Sequence, residues 1–128
     1  MNLCSYKEAV SCFNKAVQLD DKNCEYINLK GVCLKNTKNY KQALKCFQKV
    51  IQLNPKHAQA YSYKCECLIE LKNHTAAIDA LNRAIEIDPS NSIYKNLKAT
   101  ILVKSKIYFI FLSFQFKLIV LFYRLINL

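Results

Sequence analysis

The sequence predicts an all-α protein: an α-solenoid of antiparallel helix pairs in 34-residue units, followed by an apolar C-terminal tail. Three observations carry this prediction. The 128 residues include one Gly and two Pro, too few for the turns of an all-β sandwich or barrel. The sequence resembles itself when it is shifted by 34 residues. Within each unit, apolar residues recur at i, i+3, i+4 and i+7, which is the spacing of an amphipathic helix.

The 34-residue shift brings apolar residues of similar size into the same slots of the repeat. The slots hold Ala9, Ala43 and Ala77; Phe13, Phe47 and Leu81; Ala16, Val50 and Ala84; Gly31, Cys65 and Ala99; and Leu34, Leu68 and Leu102. Agreement at this many positions with one constant offset indicates a repeat and not a bias of composition. We therefore expect helix pairs that stack on their neighbours and bury a continuous core.

The periodicity places six helices in order along the chain. The pattern predicts helices near residues 5–19, 24–36, 40–53, 58–71, 74–87 and 92–105. The third helix has a clear apolar stripe that runs from Tyr40 to Ile51. It ends at Asn54-Pro55, and the fifth ends at Asp88-Pro89, because Pro has no backbone N–H and restricts the residue before it. Short polar turns between these helices favour antiparallel neighbours.

Two of the units carry a recognisable set of motif residues. Residues 24–57 contain Gly31, Leu34, Tyr40, Ala43, Phe47 and Pro55, and residues 58–91 contain Tyr61, Leu68, Ala77, Ala84 and Pro89. In this pattern the chain resembles the tetratricopeptide repeat family. The departures are Cys65 for Gly, His74 for Tyr and Leu81 for an aromatic residue. The resemblance covers residues 1–106 and implies a solenoid of paired helices that binds a protein ligand on its concave face.

The repeat frame divides the chain into five segments. Residues 1–22 form a partial unit with only the second helix, residues 24–57 and 58–91 form full units, and residues 92–106 form the first helix of a further unit. Residues 107–128 form the apolar tail. A half-unit at the beginning and an apolar tail at the end are what we expect of either a fragment or an aberrant product of a longer repeat protein.

The resemblance also implies which residues line the concave groove. By their positions in the units these are Glu25, Asn28, Val32, Lys35, Asn36, Gln59, Ser62, Glu66, Ile69, Glu70, Ile93, Asn96, Thr100 and Lys104. Asn28, Ser62 and Asn96 would form a row of short polar groups able to bond a peptide backbone. The groove is nearly neutral. Some members of the family clamp a chaperone's terminal carboxylate with Lys and Asn, but Asn28 and Val32 stand at those positions, so that activity is not predicted.

The sequence predicts no enzyme, no cofactor, no metal and no small-molecule substrate. It has no Gly-rich phosphate loop and no Ser-His-Asp arrangement. Cys12 and Cys46, like Cys33 and Cys67, are 34 residues apart and fill equivalent slots, as small packing residues do. The N-terminal residues lack the apolar stretch of a secretory signal, and seven Cys then indicate reduced thiols and a cytoplasmic location.

The formal net charge of +10 raises nucleic acid or an anionic membrane as partners. The basic residues lie mostly on second helices and loops, outside the predicted groove, and no exposed aromatic residues are interleaved with them. Such a surface is a poor platform for nucleic acid. The charge therefore argues for solubility or an anionic membrane before nucleic acid.

The tail has a composition unlike the rest of the chain. Hydrophobic residues make up 50 of residues 1–106 but 17 of the 22 residues 107–128. Residues 107–126 are long enough to cross a bilayer core, although Lys117 lies near their middle. Three interpretations stay open: a membrane segment, a degenerate capping helix, or a non-native end from an incorrect gene model.

These observations lead to one functional prediction with two alternatives. We expect a scaffold or adaptor that binds a peptide or helix of a partner protein in the concave groove. The first alternative is a repeat protein held at a membrane, facing the cytosol, by residues 107–126 and recruiting partners there. The weaker alternative is a helical repeat protein that contacts RNA.

Overall fold

The computed structural model describes residues 2–128, apart from the side chain of Leu3. Within these residues it has six α-helices and no strand, as the fold class predicts. They are α1 (Leu3–Leu19), α2 (Cys24–Asn36), α3 (Tyr40–Leu53), α4 (Ala58–Glu70), α5 (His74–Ile87) and α6 (Ser92–Ile126). The chain divides into two compact units, the first ending at Tyr94 and the second spanning Lys95–Leu128. We call them the repeat unit and the tail unit.

In the repeat unit each helix from α1 to α5 packs on the next one in the chain, and α2 also contacts α4. Phe47 of α3 lies fully buried in a core cluster with Leu34, Ala43 and Cys67. The chain's single glycine, Gly31, makes this packing possible. A Cβ atom on Gly31 would lie 2.8 Å from Cε1 of Phe47, which is closer than real side chains approach. The repeat slots in α2 to α5 are therefore buried packing positions, whereas those in α1 are half-buried and Ala99 and Leu102 of α6 are exposed.

Two equivalent turns reverse the chain within the repeat unit. Lys38 and Lys72 both have a φ of 63°, the left-handed conformation that ends many helices. The N–H of Asn39 donates to the carbonyl of Leu34, and the N–H of Asn73 donates to that of Leu68, each at 2.8 Å. These bonds satisfy carbonyls at the ends of α2 and α4 and direct the chain into α3 and α5.

The predicted end of the last helix near residue 105 is wrong, because α6 continues without a break to Ile126. Lys106 and Ile107 stand where the earlier repeats have Lys38-Asn39 and Lys72-Asn73. Isoleucine has no side-chain acceptor to begin a new helix, and residues 103–112 contain no Gly or Pro to stop the old one. The repeat spacing predicts a turn here, but the residues that would form one are absent.

Candidate functional site

A surface cavity of about 360 Å³ lies where the C-terminal ends of α2 and α4 meet the start of α3. Five of the predicted groove residues line it: Lys35, Asn36, Glu66, Ile69 and Glu70. Each lies in the last turns of α2 or α4, since the 34-residue repeat puts equivalent residues at equivalent helix ends. The cavity combines the apolar side chain of Ile69 with amide and charged groups.

Two further lining residues, Lys38 and Tyr40, were not predicted. The sequence pattern indicates only a packing role for Tyr40, at the start of the apolar stripe of the third helix. Lys38 lies in the turn between α2 and α3, where its left-handed backbone conformation reverses the chain beside the cavity. The signal that could have identified both residues was their position two and four residues after the predicted groove residue Asn36.

An ion pair joins α2 to α4 at the cavity, with the Lys35 ammonium donating to Oε2 of Glu66. Lys35 Nζ also lies 4.7 Å from the centroid of the Tyr63 ring, within the range of a cation–π contact. The side chain of Lys35 is 17% exposed and that of Glu66 is 38% exposed. Because Lys35 is partly shielded and already paired, it is held in place and not free to capture an acidic ligand by itself.

Tyr63 connects this polar surface to the core of the repeat unit. Its ring lies 5.3 Å from that of Phe47, centroid to centroid, in a tilted arrangement. Its hydroxyl oxygen accepts a hydrogen bond of 2.9 Å from Nε2 of Gln59, another predicted groove residue. The cavity surface is therefore positioned by side chains that are themselves fixed by packing, which favours a pre-formed binding surface.

The predicted row of backbone-binding polar groups is not uniformly open. Asn28 and Ser62 are buried, with 5% and 6% of their surface exposed. The Oδ1 atom of Asn28 is buried without a hydrogen-bond partner. An unsatisfied buried acceptor costs about 1–3 kcal/mol, so this oxygen lowers the stability of the fold.

The other predicted groove residues lie outside the cavity lining. Glu25 and Ile93 are exposed, and Val32 is half-buried against the core cluster that contains Phe47. Asn96, Thr100 and Lys104 belong to the tail unit and are exposed. The Thr100 hydroxyl donates to the carbonyl of Asn96 at 2.9 Å, so it is engaged within its own helix.

Four cysteines of the repeat unit have raised pKa values, because burial disfavours the charged thiolate. Burial raises the pKa of Cys65 to about 12 and that of Cys67 to about 11, and it also raises the pKa of Cys33 and Cys46. Among residues 2–128, no three His, Cys, Asp or Glu side chains are close enough together to hold a metal ion. His57 Nδ1 instead accepts the N–H of Ala60 at 3.2 Å and caps α4.

Among solved structures, several tetratricopeptide repeat domains are similar to this chain. One is the first repeat domain of Spaghetti (RPAP3), bound to the HSP90 peptide SRMEEVD. It is 22% identical, covers 80% of this chain and 81% of its own, and has a TM-score of 0.76. YrrB, described as having an unusual peptide-binding site, is 28% identical and covers 73% of this chain, with a TM-score of 0.71. This chain spans 48% of the YrrB chain.

A third similar structure is the type III secretion chaperone SycD of Yersinia enterocolitica in complex with a peptide of the translocator YopD. It is 19% identical, covers 77% of this chain and 76% of its own, and has a TM-score of 0.68. No curated protein sequence matches the chain. Tetratricopeptide repeat family models match residues 34–101 and residues 1–23. The repeat slots, the paired helices and these matches together establish that the chain belongs to the tetratricopeptide repeat family.

Proposed function

We propose that the protein is an adaptor that binds a short peptide or helix of a partner protein on the cavity face of α2 and α4. The observation that carries this proposal is the cavity of about 360 Å³, since five of its seven lining residues are predicted groove residues. Similar tetratricopeptide structures hold peptides, which supports a ligand of the same kind here. The resemblance and the cavity give no support for catalysis.

The surface of the cavity indicates the character of the ligand. Ile69 and the Tyr40 ring offer an apolar seat, and the Asn36 amide offers both a donor and an acceptor to a peptide backbone. Lys35 is neutralised by Glu66, which leaves the carboxylate of Glu70 and the ammonium of Lys38 as the open charges. We therefore expect a ligand with an apolar anchor and mixed polarity, not one recognised by negative charge alone.

A charge-matched pair of variants tests the binding face. A peptide is first selected from a random display library on the full chain and then titrated by calorimetry. Asn36→Arg with Glu70→Arg changes two exposed cavity residues, whereas Gln48→Arg with Asp79→Arg changes two exposed residues on α3 and α5 by the same charge. We expect the first variant to weaken binding at least about tenfold, equal to about 1.4 kcal/mol, and the control to leave it unchanged. Equal affinities for all three proteins would overturn the proposal.

A second candidate function is attachment to a membrane through residues 107–126, and one observation favours it. These residues form an uninterrupted part of α6, and every residue from 102 to 128 is exposed. Twenty helical residues span about 30 Å, the thickness of a bilayer core. By length and composition, α6 qualifies as a helix that could cross a membrane. The RNA-contacting alternative has no comparable observation in its favour within residues 2–128.

The balance of insertion energies is compatible with this candidate. Fourteen of residues 107–126 are Ile, Leu, Phe or Val, which at mid-helix values contribute about −4 to −8 kcal/mol together. The central Lys117 opposes insertion by about 2.5–3.5 kcal/mol. Tyr108 and Tyr123 lie near the two ends of the segment, where the interfacial layers of a bilayer favour amphipathic rings.

Flotation with liposomes tests the membrane candidate in the full chain. Phe111→Arg with Leu118→Arg adds two charges to the middle of the segment, at residues whose side chains are exposed in the structure. Phe111→Leu with Leu118→Ile is the matched apolar control. We expect the wild type and the control to float and resist alkaline extraction, and the Arg variant to stay in the soluble fraction. Equal flotation of all three, or flotation of none, would contradict membrane insertion.

A further inference from the structure

We propose that lysines at the N-terminal side of the apolar segment form a collar that selects anionic lipid. The collar would hold this end of the segment at the surface of a negatively charged leaflet. The collar consists of Lys95, Lys98, Lys104 and Lys106. The inference rests on the proposed membrane attachment through residues 107–126, and it adds the chemical class of lipid that the tail unit recognises.

The four lysines stand on one continuous helix immediately before the apolar segment. At 1.5 Å per residue, Lys104 and Lys106 lie within about 5 Å of Ile107 along the helix axis, and Lys95 and Lys98 lie about 14–18 Å from it. The polar headgroup layer is about 5–8 Å thick on each side of the core, and the Debye length is about 8 Å. Lys104 and Lys106 would therefore lie among the headgroups, and the other two would lie farther from the bilayer.

The two lysines nearest the apolar segment, Lys104 and Lys106, point to opposite sides of α6. Successive residues on an α-helix turn by about 100°, so Lys104 and Lys106 are about 200° apart around the axis. A helix that enters a bilayer is surrounded by lipid on all sides, and charges on opposite sides can each meet a separate headgroup. Lys95, Lys98 and Lys106 lie within about 80° of one another, so a protein partner on that face would not meet Lys104, whereas lipid around the helix meets both sides.

No opposite charge competes for these ammonium groups within the tail unit. Residues 93–128 contain six basic residues and no acidic residue. Lys95, Lys104 and Lys106 are exposed, and Lys98 is half-buried. Each lysine near an anionic surface contributes about 1 kcal/mol, which corresponds to about fivefold in partitioning. Removal of the two lysines nearest the apolar segment should therefore lower binding to anionic vesicles about 25-fold.

Matched vesicles and variants test the collar. Partitioning of the full chain is measured at limiting lipid with vesicles of phosphatidylcholine alone and of equimolar phosphatidylcholine and phosphatidylserine. Lys104→Gln with Lys106→Gln removes two collar charges. Lys7→Gln with Lys15→Gln removes the same charge from two exposed residues of α1, and Lys104→Arg with Lys106→Arg keeps the collar charge.

We expect the wild type to prefer the anionic vesicles, and this preference to fall as salt concentration rises. The collar Gln variant should lose about 25-fold in binding to anionic vesicles and bind phosphatidylcholine as before. The Arg variant and the α1 control should behave like the wild type. Equal partitioning of the wild type into both vesicles, or an equal loss in the α1 control, would overturn the collar but leave membrane insertion standing. No partitioning into either vesicle would overturn both.

Discussion

The repeat unit and the tail unit differ in how far their apolar side chains are buried. In the repeat unit, apolar side chains recur on one stripe of each helix, and residues such as Phe47, Val50 and Leu81 are fully buried. In the tail unit, every residue from 102 to 128 is exposed, although this stretch is the most apolar of the chain. Hydrophobic content alone therefore does not create a core. A core forms where the helical periodicity gives each helix one apolar stripe that packs against a neighbouring helix. A helix that is apolar on all sides must instead be surrounded by other apolar groups, as in a protein core or a membrane.

The largest effect that separates the two units is expected from truncating an aromatic side chain in each. Phe47→Ala should lower the free energy of unfolding of the repeat unit by about 3–5 kcal/mol, because it leaves a cavity in a close-packed core. Phe111→Ala in the tail unit should change it by less than about 0.5 kcal/mol, because that side chain is exposed. Urea unfolding followed by circular dichroism, with detergent present, measures both. Similar losses in the two variants would contradict the difference in packing.

A smaller effect is expected at the contact between Gly31 and Phe47. Gly31→Ala should destabilise the repeat unit by about 1–3 kcal/mol, because the new methyl group would lie 2.8 Å from Cε1 of Phe47 and the ring must shift. Cys65 fills the same slot of the next repeat and already carries a side chain. Cys65→Ala serves as the control and should cost less. A Gly31→Ala variant as stable as the wild type would contradict this expectation, because it would mean that the Phe47 ring can shift at no cost.

A substitution at Asn28 is expected to raise stability, unlike the two above, because its buried Oδ1 atom has no hydrogen-bond partner. Asn28→Leu replaces an unsatisfied buried acceptor with an apolar side chain of similar shape, and it should raise the free energy of unfolding by about 1 kcal/mol. If the amide serves ligand binding, the same variant should weaken the affinity for a selected peptide. Thermal unfolding and peptide titration measure the two effects. A clear loss of stability would mean that Oδ1 has a partner in solution.

The smallest effect near neutral pH is expected from the buried thiols. Burial raises the pKa of Cys65 to about 12 and that of Cys67 to about 11, from an ordinary value of 9.0. Above pH 9 the unfolded chain therefore loses these protons while the folded chain keeps them, and stability falls until the folded pKa values are passed. Below pH 9 these groups have no such effect.

The pH dependence can be assigned by comparing variants. The double variant Cys65→Ala with Cys67→Ala should show a shallower loss of stability between pH 9 and 11 in unfolding titrations. The tail unit has no Cys, so its helicity should not change as these thiols ionise. An unchanged slope in the double variant would assign the alkaline loss to other groups.

The same contrast explains which features could be predicted from the sequence. The bounds of α2, α3 and α5 agree with the pattern, because Pro55 and Pro89 follow α3 and α5 and a short polar turn follows α2. The continuation of α6 was missed, because the repeat length predicts a turn that Ile107 does not form. Five cavity residues follow from their repeat positions. Burial of Asn28 depends on neighbouring helices, which a repeat position does not describe.

The proposed binding face can be tested directly by nuclear magnetic resonance on the full chain in detergent, with the selected peptide added in steps. We expect the largest amide shift changes near Lys35, Asn36, Tyr40, Ile69 and Glu70, and small changes on the exposed faces of α3 and α5. Changes confined to residues 102–126, or spread evenly over the chain, would contradict a peptide site on α2 and α4.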